Sequence, residues 1–96
     1  METKQDVILR ICNLLKIPMF SVSTGSTEPR EFLLAVADQL GLLASTTGLD
    51  KPGIGKLIVE GAGQPWLPDY DSRGSTITKD GLLAIERVVK NIVESN

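Results

Sequence analysis

The chain has 96 residues, 42% of them apolar and 23% charged, with a net charge of −2. That length and balance fit one small globular domain and exclude an intrinsically disordered chain. The absence of histidine excludes Ser-His-Asp and Cys-His catalysis and His-ligated metal sites, and a lone cysteine, Cys12, excludes an internal disulfide. Apolar runs are too short to cross a membrane, and the N-terminal residues Met1 to Asp6 lack the layout of a signal peptide, so the expected location is the cytoplasm.

The first helix is expected from Gln5 to Lys16, where Val7, Ile8, Ile11, Leu14 and Leu15 repeat at helical spacing. Thr3 and Asp6 fit a capping box, and Pro18 discourages extension through Ile17. Cys12 lies on the apolar stripe, where a buried thiol is the expected state. Phe20 to Val22 reads as a short strand. Thr27 is placed as the cap of a second helix, with Glu28 and Pro29 in its first turn, Phe32, Leu33, Val36, Ala37 and Leu40 on its apolar face, and a stop at Gly41. Asp50 repeats the device of cap, one residue and proline. It opens a third helix over Lys51 to Glu60, held by Ile54, Leu57 and Ile58 and ended by Gly61 and Gly63. Thr78 caps a last helix from Lys79 to about Glu94, striped by Leu82, Ile85, Val88, Val89 and Ile92.

Between the last two helices runs a long connection, Gly61 to Thr78, with the only Trp and the only Tyr of the chain. Long connections in compact domains are uncommon and tend to be functional or disordered. Trp66, Leu67 and Ile77 provide anchors, so an ordered loop or small hairpin is expected, with a short strand at Ser75 to Ile77. The resulting fold class is mainly α: four helices with a hairpin or irregular wing between the third and fourth, in a winged-helix-like order.

Several stretches are candidate sites. Gly53 and Gly55 weaken the third helix by about 1 kcal/mol each relative to alanine. Either a phosphate or a neighbouring backbone comes close there, or the glycines allow tight packing. In the first case Lys51 and Lys56 face a DNA groove while the apolar side holds the core. In the tail of the loop, Arg73 at a Gly74 turn can reach phosphate, with Ser72, Ser75 and Thr76 as hydroxyl donors; the alternative is a solvated turn before a helix cap. Asp69 and Asp71 oppose a polyanion unless they pair with Arg73. Ser23 to Thr27 form a hydroxyl-rich turn that either caps the second helix or meets an anion, without the ending of a P-loop. Asp69-x-Asp71 matches neither a complete nuclease motif nor a calcium loop, so no metal and no cofactor are expected.

Three strings carry a family resemblance: Gly25-Ser26-Thr27-Glu28-Pro29-Arg30-Glu31-Phe32, Lys51-Pro52 before a short helix, and Ser72-Arg73-Gly74-Ser75-Thr76-Ile77-Thr78 before the last helix. Together they resemble small accessory modules of prokaryotic restriction endonucleases. The resemblance implies a winged-helix-like or helical domain that helps choose the DNA site beside a separate nuclease domain or subunit. Neither an HNH-type histidine nor a full Pro-Asp…Glu-x-Lys set occurs, so it implies the accessory part alone. The acidic balance departs from most DNA-reading domains.

The expected function is binding of double-stranded DNA through Lys51, Lys56, Ser72, Arg73, Ser75 and Thr76, without catalysis and without a membrane partner. The alternative is a protein-interaction module that pairs through the Trp66 loop or the last helix, and the oligomeric state stays open.

Overall fold

The structure is a computed structural model that describes residues 2–21 and 27–95. In chain order it contains α1 (Lys4–Leu15), α2 (Arg30–Gln39), a 3-10 turn (Leu43–Thr46), α3 (Lys51–Gly61), a second 3-10 turn (Pro68–Tyr70), β1 (Asp71–Ser72), β2 (Thr76–Ile77) and α4 (Lys79–Ser95). The mainly helical class and the hairpin between the third and fourth helices are as expected. The winged-helix-like order is therefore present. Among the described residues no helix is long and apolar enough to cross a membrane.

Local capping explains where three of the helices begin. Thr3 and Asp6 form a reciprocal box: the Asp6 amide donates to Thr3 Oγ1 at 3.2 Å and the Thr3 amide donates to Asp6 Oδ2 at 2.9 Å. The backbone bond from Thr3 lowers the Asp6 pKa, with its hydroxyl adding to the effect. Asp50 Oδ1 accepts from the Gly53 amide at 2.9 Å, and Thr78 Oγ1 accepts from the Gly81 amide at 3.2 Å.

The second helix departs from expectation. It begins at Arg30, its N-cap is Pro29, and no side-chain bond caps it, so Thr27 is not the cap and Glu28 is not in its first turn. The reason is a long-range pull on Glu28, described below. Phe20 and Ser21 form no strand, and Val22 lies outside the described residues, as do positions 23–26 of the hydroxyl-rich turn.

One core joins all four helices and β2. It contains Val7, Ile8, Ile11 and Cys12 from α1, Phe32, Leu33, Val36 and Ala37 from α2, and Ile77 from the hairpin. Leu82, Ile85, Val88 and Val89 of α4 complete the stripe read from sequence, with Ile92 at its half-buried edge. Burial raises the Cys12 thiol pKa, which keeps it protonated and inert. Across the outer seam of α1 and α4, Arg10 meets Glu86 with two parallel bonds, Nε to Oε2 at 2.7 Å and Nη2 to Oε1 at 3.0 Å. Those bonds raise the guanidinium pKa further; in this partly exposed setting the pair adds at most about 1 kcal/mol.

The inner face of α3 is rotated from the one expected. Ile54, Gly55, Ile58 and Val59 are buried, while Leu57 is only half-buried. Gly55 accounts for the rotation: a Cβ placed there would lie 2.7 Å from the edge of the Trp66 ring and 3.0 Å from Ile77 Cδ1. The helix turns its smallest residue toward its bulkiest neighbour. Tight packing thus explains Gly55 without any appeal to a ligand.

Candidate nucleic-acid interface

The hairpin is held against α3 and α4 by four anchors. Trp66 meets Tyr70 edge-on, with ring centroids 5.1 Å apart at 76°, and its Nε1 donates to Asp71 Oδ1 at 2.8 Å. Thr78 Oγ1 donates to the Asp69 carbonyl at 2.9 Å, and the Thr78 amide donates to the Tyr70 carbonyl at 2.9 Å. Asp71 pairs with Ile77 and Ser72 with Thr76 in antiparallel register.

The fourth anchor is Glu28, which is fully buried. Its carboxylate lies 2.7 and 2.6 Å from Thr76 Oγ1, through Oε1 and Oε2, so one hydroxyl hydrogen is shared between two acceptors. Oε1 also accepts from the Ile77 amide at 2.7 Å, and Lys4 Nζ stands 3.5 Å from Oε2. The Glu28 carbonyl in turn accepts from Lys51 Nζ at 2.8 Å. A single residue ahead of α2 therefore ties together α1, α3 and β2. Burying a carboxylate is costly unless it is paired and hydrogen-bonded, and here it is both.

These bonds divide the six residues expected to touch DNA. Lys51 and Thr76 already donate to Glu28. Lys56, Ser72, Arg73 and Ser75 are exposed, and their side chains make no hydrogen bond or ion pair among the described residues. Lys56, Ser72 and Ser75 line one shallow cleft of about 370 Å³ between the outer side of α3 and the hairpin, along with Pro52, Gly53, Asp50 and Asp71. Arg73 lies in the hairpin turn between the two strands, beside this cleft in sequence. Neither Asp69 nor Asp71 pairs with Arg73; the Asp50 and Asp71 carboxylates serve instead as helix cap and as acceptor for Trp66.

The turn itself is strained. Gly74 has φ +76°, and Ser75 follows at φ +56°, a left-handed conformation that costs an L-residue about 1 kcal/mol. Ser75 bears that cost with its side chain lining the cleft. Ser75→Gly is expected to raise stability by about 0.5–1 kcal/mol in a thermal melt, because glycine adopts this φ freely.

Among the described residues no group of three or more Asp, Glu, Cys or His side chains is placed to hold a metal ion. No protein-family model, curated protein or solved structure matches the chain. Its function is therefore read from the site.

The residue that sequence reasoning missed is Glu28. Its one signal was the following proline, which disfavours the helical region for the residue before it.

Proposed function

We propose that this domain binds double-stranded DNA, with the outer side of α3 in or along a groove and the hairpin against the adjacent backbone, and that it does so by binding alone, without catalysis. One observation carries the reading: Lys56, Ser72 and Ser75, three exposed donors without internal partners, meet on one cleft, with Arg73 in the turn beside it. Cations and hydroxyls on a helix and an adjoining hairpin are the groups that hold phosphates. Lys51 stays near this face as a support for Glu28, and Thr76 holds the hairpin in place. The resemblance to restriction-endonuclease accessory modules adds a partner to the reading, a cytoplasmic nuclease domain or subunit that the domain directs to its site.

Two free cations and two nearby carboxylates set the scale of the effect. With Lys56 and Arg73 each neutralising one phosphate, the logarithm of the affinity falls with the logarithm of salt at a slope of about −1.8. Between 50 and 200 mM salt that slope weakens binding roughly tenfold. A fluorescence-anisotropy titration of mixed-sequence duplex should give that slope. Lys56→Ala and Arg73→Ala should each reduce it by about 1. Ser75→Gly should weaken binding while raising the melting temperature. Absence of binding at 50 mM salt, or a slope unchanged in both cation variants, would sink the reading.

A further inference from the structure

The two walls of the Lys56 cleft belong to different parts of the chain. Asp50, Pro52, Gly53 and Lys56 come from α3 and its cap, whereas Asp71, Ser72 and Ser75 come from the hairpin. The hairpin has two residues on each strand, and an isolated two-stranded ribbon is marginal even when longer. Its bonds through Trp66 and Thr78 run within residues 66–78. The bonds from β2 to a distant part of the chain go to Glu28.

Glu28 meets each wall one residue away from the lining. Its carboxylate holds Thr76 and Ile77, which follow Ser75, and its carbonyl accepts from Lys51, which lies between Asp50 and Pro52. Glu28 is fully buried, so it braces both walls without touching a ligand in the cleft. Lys4 Nζ, 3.5 Å from Oε2, ties the brace to α1.

We propose that Glu28 is a positioning residue for duplex binding, setting the hairpin against α3 so that Arg73, Ser72 and Ser75 reach phosphates while Lys56 does. This rests on the DNA reading above. A site held in its bound geometry avoids the cost of ordering when the ligand arrives. Once the brace is loosened, the turn that carries Arg73 must be ordered on binding, and its contact is the first to weaken. The charge of Glu28 acts the other way. Removing a negative charge strengthens attraction to a polyanion, so positioning and charge predict opposite signs for the same substitution.

The test is an anisotropy titration of mixed-sequence duplex between 50 and 200 mM salt, at a temperature where circular dichroism shows every protein folded. Glu28→Ala removes the brace and is read only if it folds. Glu28→Gln and Thr76→Val keep the size of the side chains and weaken the contact from either end. Each should weaken binding roughly threefold, Glu28→Gln doing so despite its lost negative charge. The salt slope should fall from about −1.8 toward about −0.9 as the Arg73 contact fades. Arg73→Ala should then cost less affinity in the Glu28→Gln background than in the parent. A residue acting on stability alone would leave the slope and the Arg73 effect unchanged, since molecules still folded bind as the parent does. Parent-like or tighter binding in Glu28→Gln and Thr76→Val, with an undiminished Arg73→Ala effect, would overturn the proposal and leave the DNA reading standing. Absence of binding by the parent at 50 mM salt would overturn both.

Discussion

Glu28→Ala is expected to destabilise the domain by about 3–5 kcal/mol, the cost of breaking a buried, hydrogen-bonded ionic contact. The truncation leaves the Ile77 amide and the Thr76 hydroxyl without their acceptor and opens a void beside β2. Small domains are stable by only about 5–15 kcal/mol, so the loss is a large share of the whole. For a domain of this size each kcal/mol is worth roughly 4–8 °C, and the melting temperature should fall by at least about 12 °C. Glu28→Gln is the graded control. It keeps the shape and an acceptor for Ile77, gives up the attraction of Lys4, and should cost about 1–2 kcal/mol. Thr76→Val should cost a similar amount. The double variant Glu28→Gln/Thr76→Val should cost less than the sum, since both changes act on the one contact between residues 28 and 76. Additive losses, or a Glu28→Ala melt within about 3 °C of the parent, would mean that the carboxylate does not hold the hairpin.

Glu28 also marks the boundary of what the sequence could tell. Helix starts were legible wherever the cap and its target lie three residues apart, as at Thr3 and Asp6, Asp50 and Gly53, and Thr78 and Gly81. The same grammar failed at Thr27-Glu28-Pro29. It resembles Asp50-Lys51-Pro52, yet Lys51 enters its helix and Glu28 does not. The difference is a bond to Thr76, 48 residues away, which no local pattern records. The hairpin was legible from Gly74 and the anchors around it, but the strand Asp71–Ser72 was not, because two exposed polar residues carry no strand signature. The face of α3 was misjudged for a related reason. Periodicity counts apolar side chains, and the residue that set the helix's rotation, Gly55, has none. Of the candidate site, residue types and approximate places were visible in the sequence. Which donors stay free could only be seen once Glu28 had claimed Lys51 and Thr76.

Glycines with opposite surroundings give the second large effect, with a sign that propensity alone would get wrong. Replacing an interior helical glycine by alanine gains about 1 kcal/mol from propensity. At Gly61, the last residue of α3, a new Cβ meets nothing within 4 Å, so Gly61→Ala should stabilise by about 0.5–1 kcal/mol. At Gly81, in the first turn of α4, the same methyl would lie 2.5 Å from Ile77 Cγ2, 3.0 Å from Tyr70 Cβ and 3.1 Å from the Tyr70 carbonyl oxygen. The last of these is backbone, held by its bond to the Thr78 amide, and cannot swing aside. Overpacking of this kind costs about 1–3 kcal/mol, which exceeds the propensity gain. Gly81→Ala should therefore lower stability by about 1–2 kcal/mol, and Gly81→Val by more. Because the strain is delivered to Ile77 and Tyr70, it must spread to the ring that Tyr70 supports. Trp66 is the chain's only tryptophan, so its emission should shift to the red in Gly81→Ala and stay unchanged in Gly61→Ala. A Gly81→Ala protein as stable as its parent, with unshifted emission, would show that the hairpin rests on α4 more loosely than these distances require. The Lys56 cleft would then lack the rigid wall on which its proposed role depends.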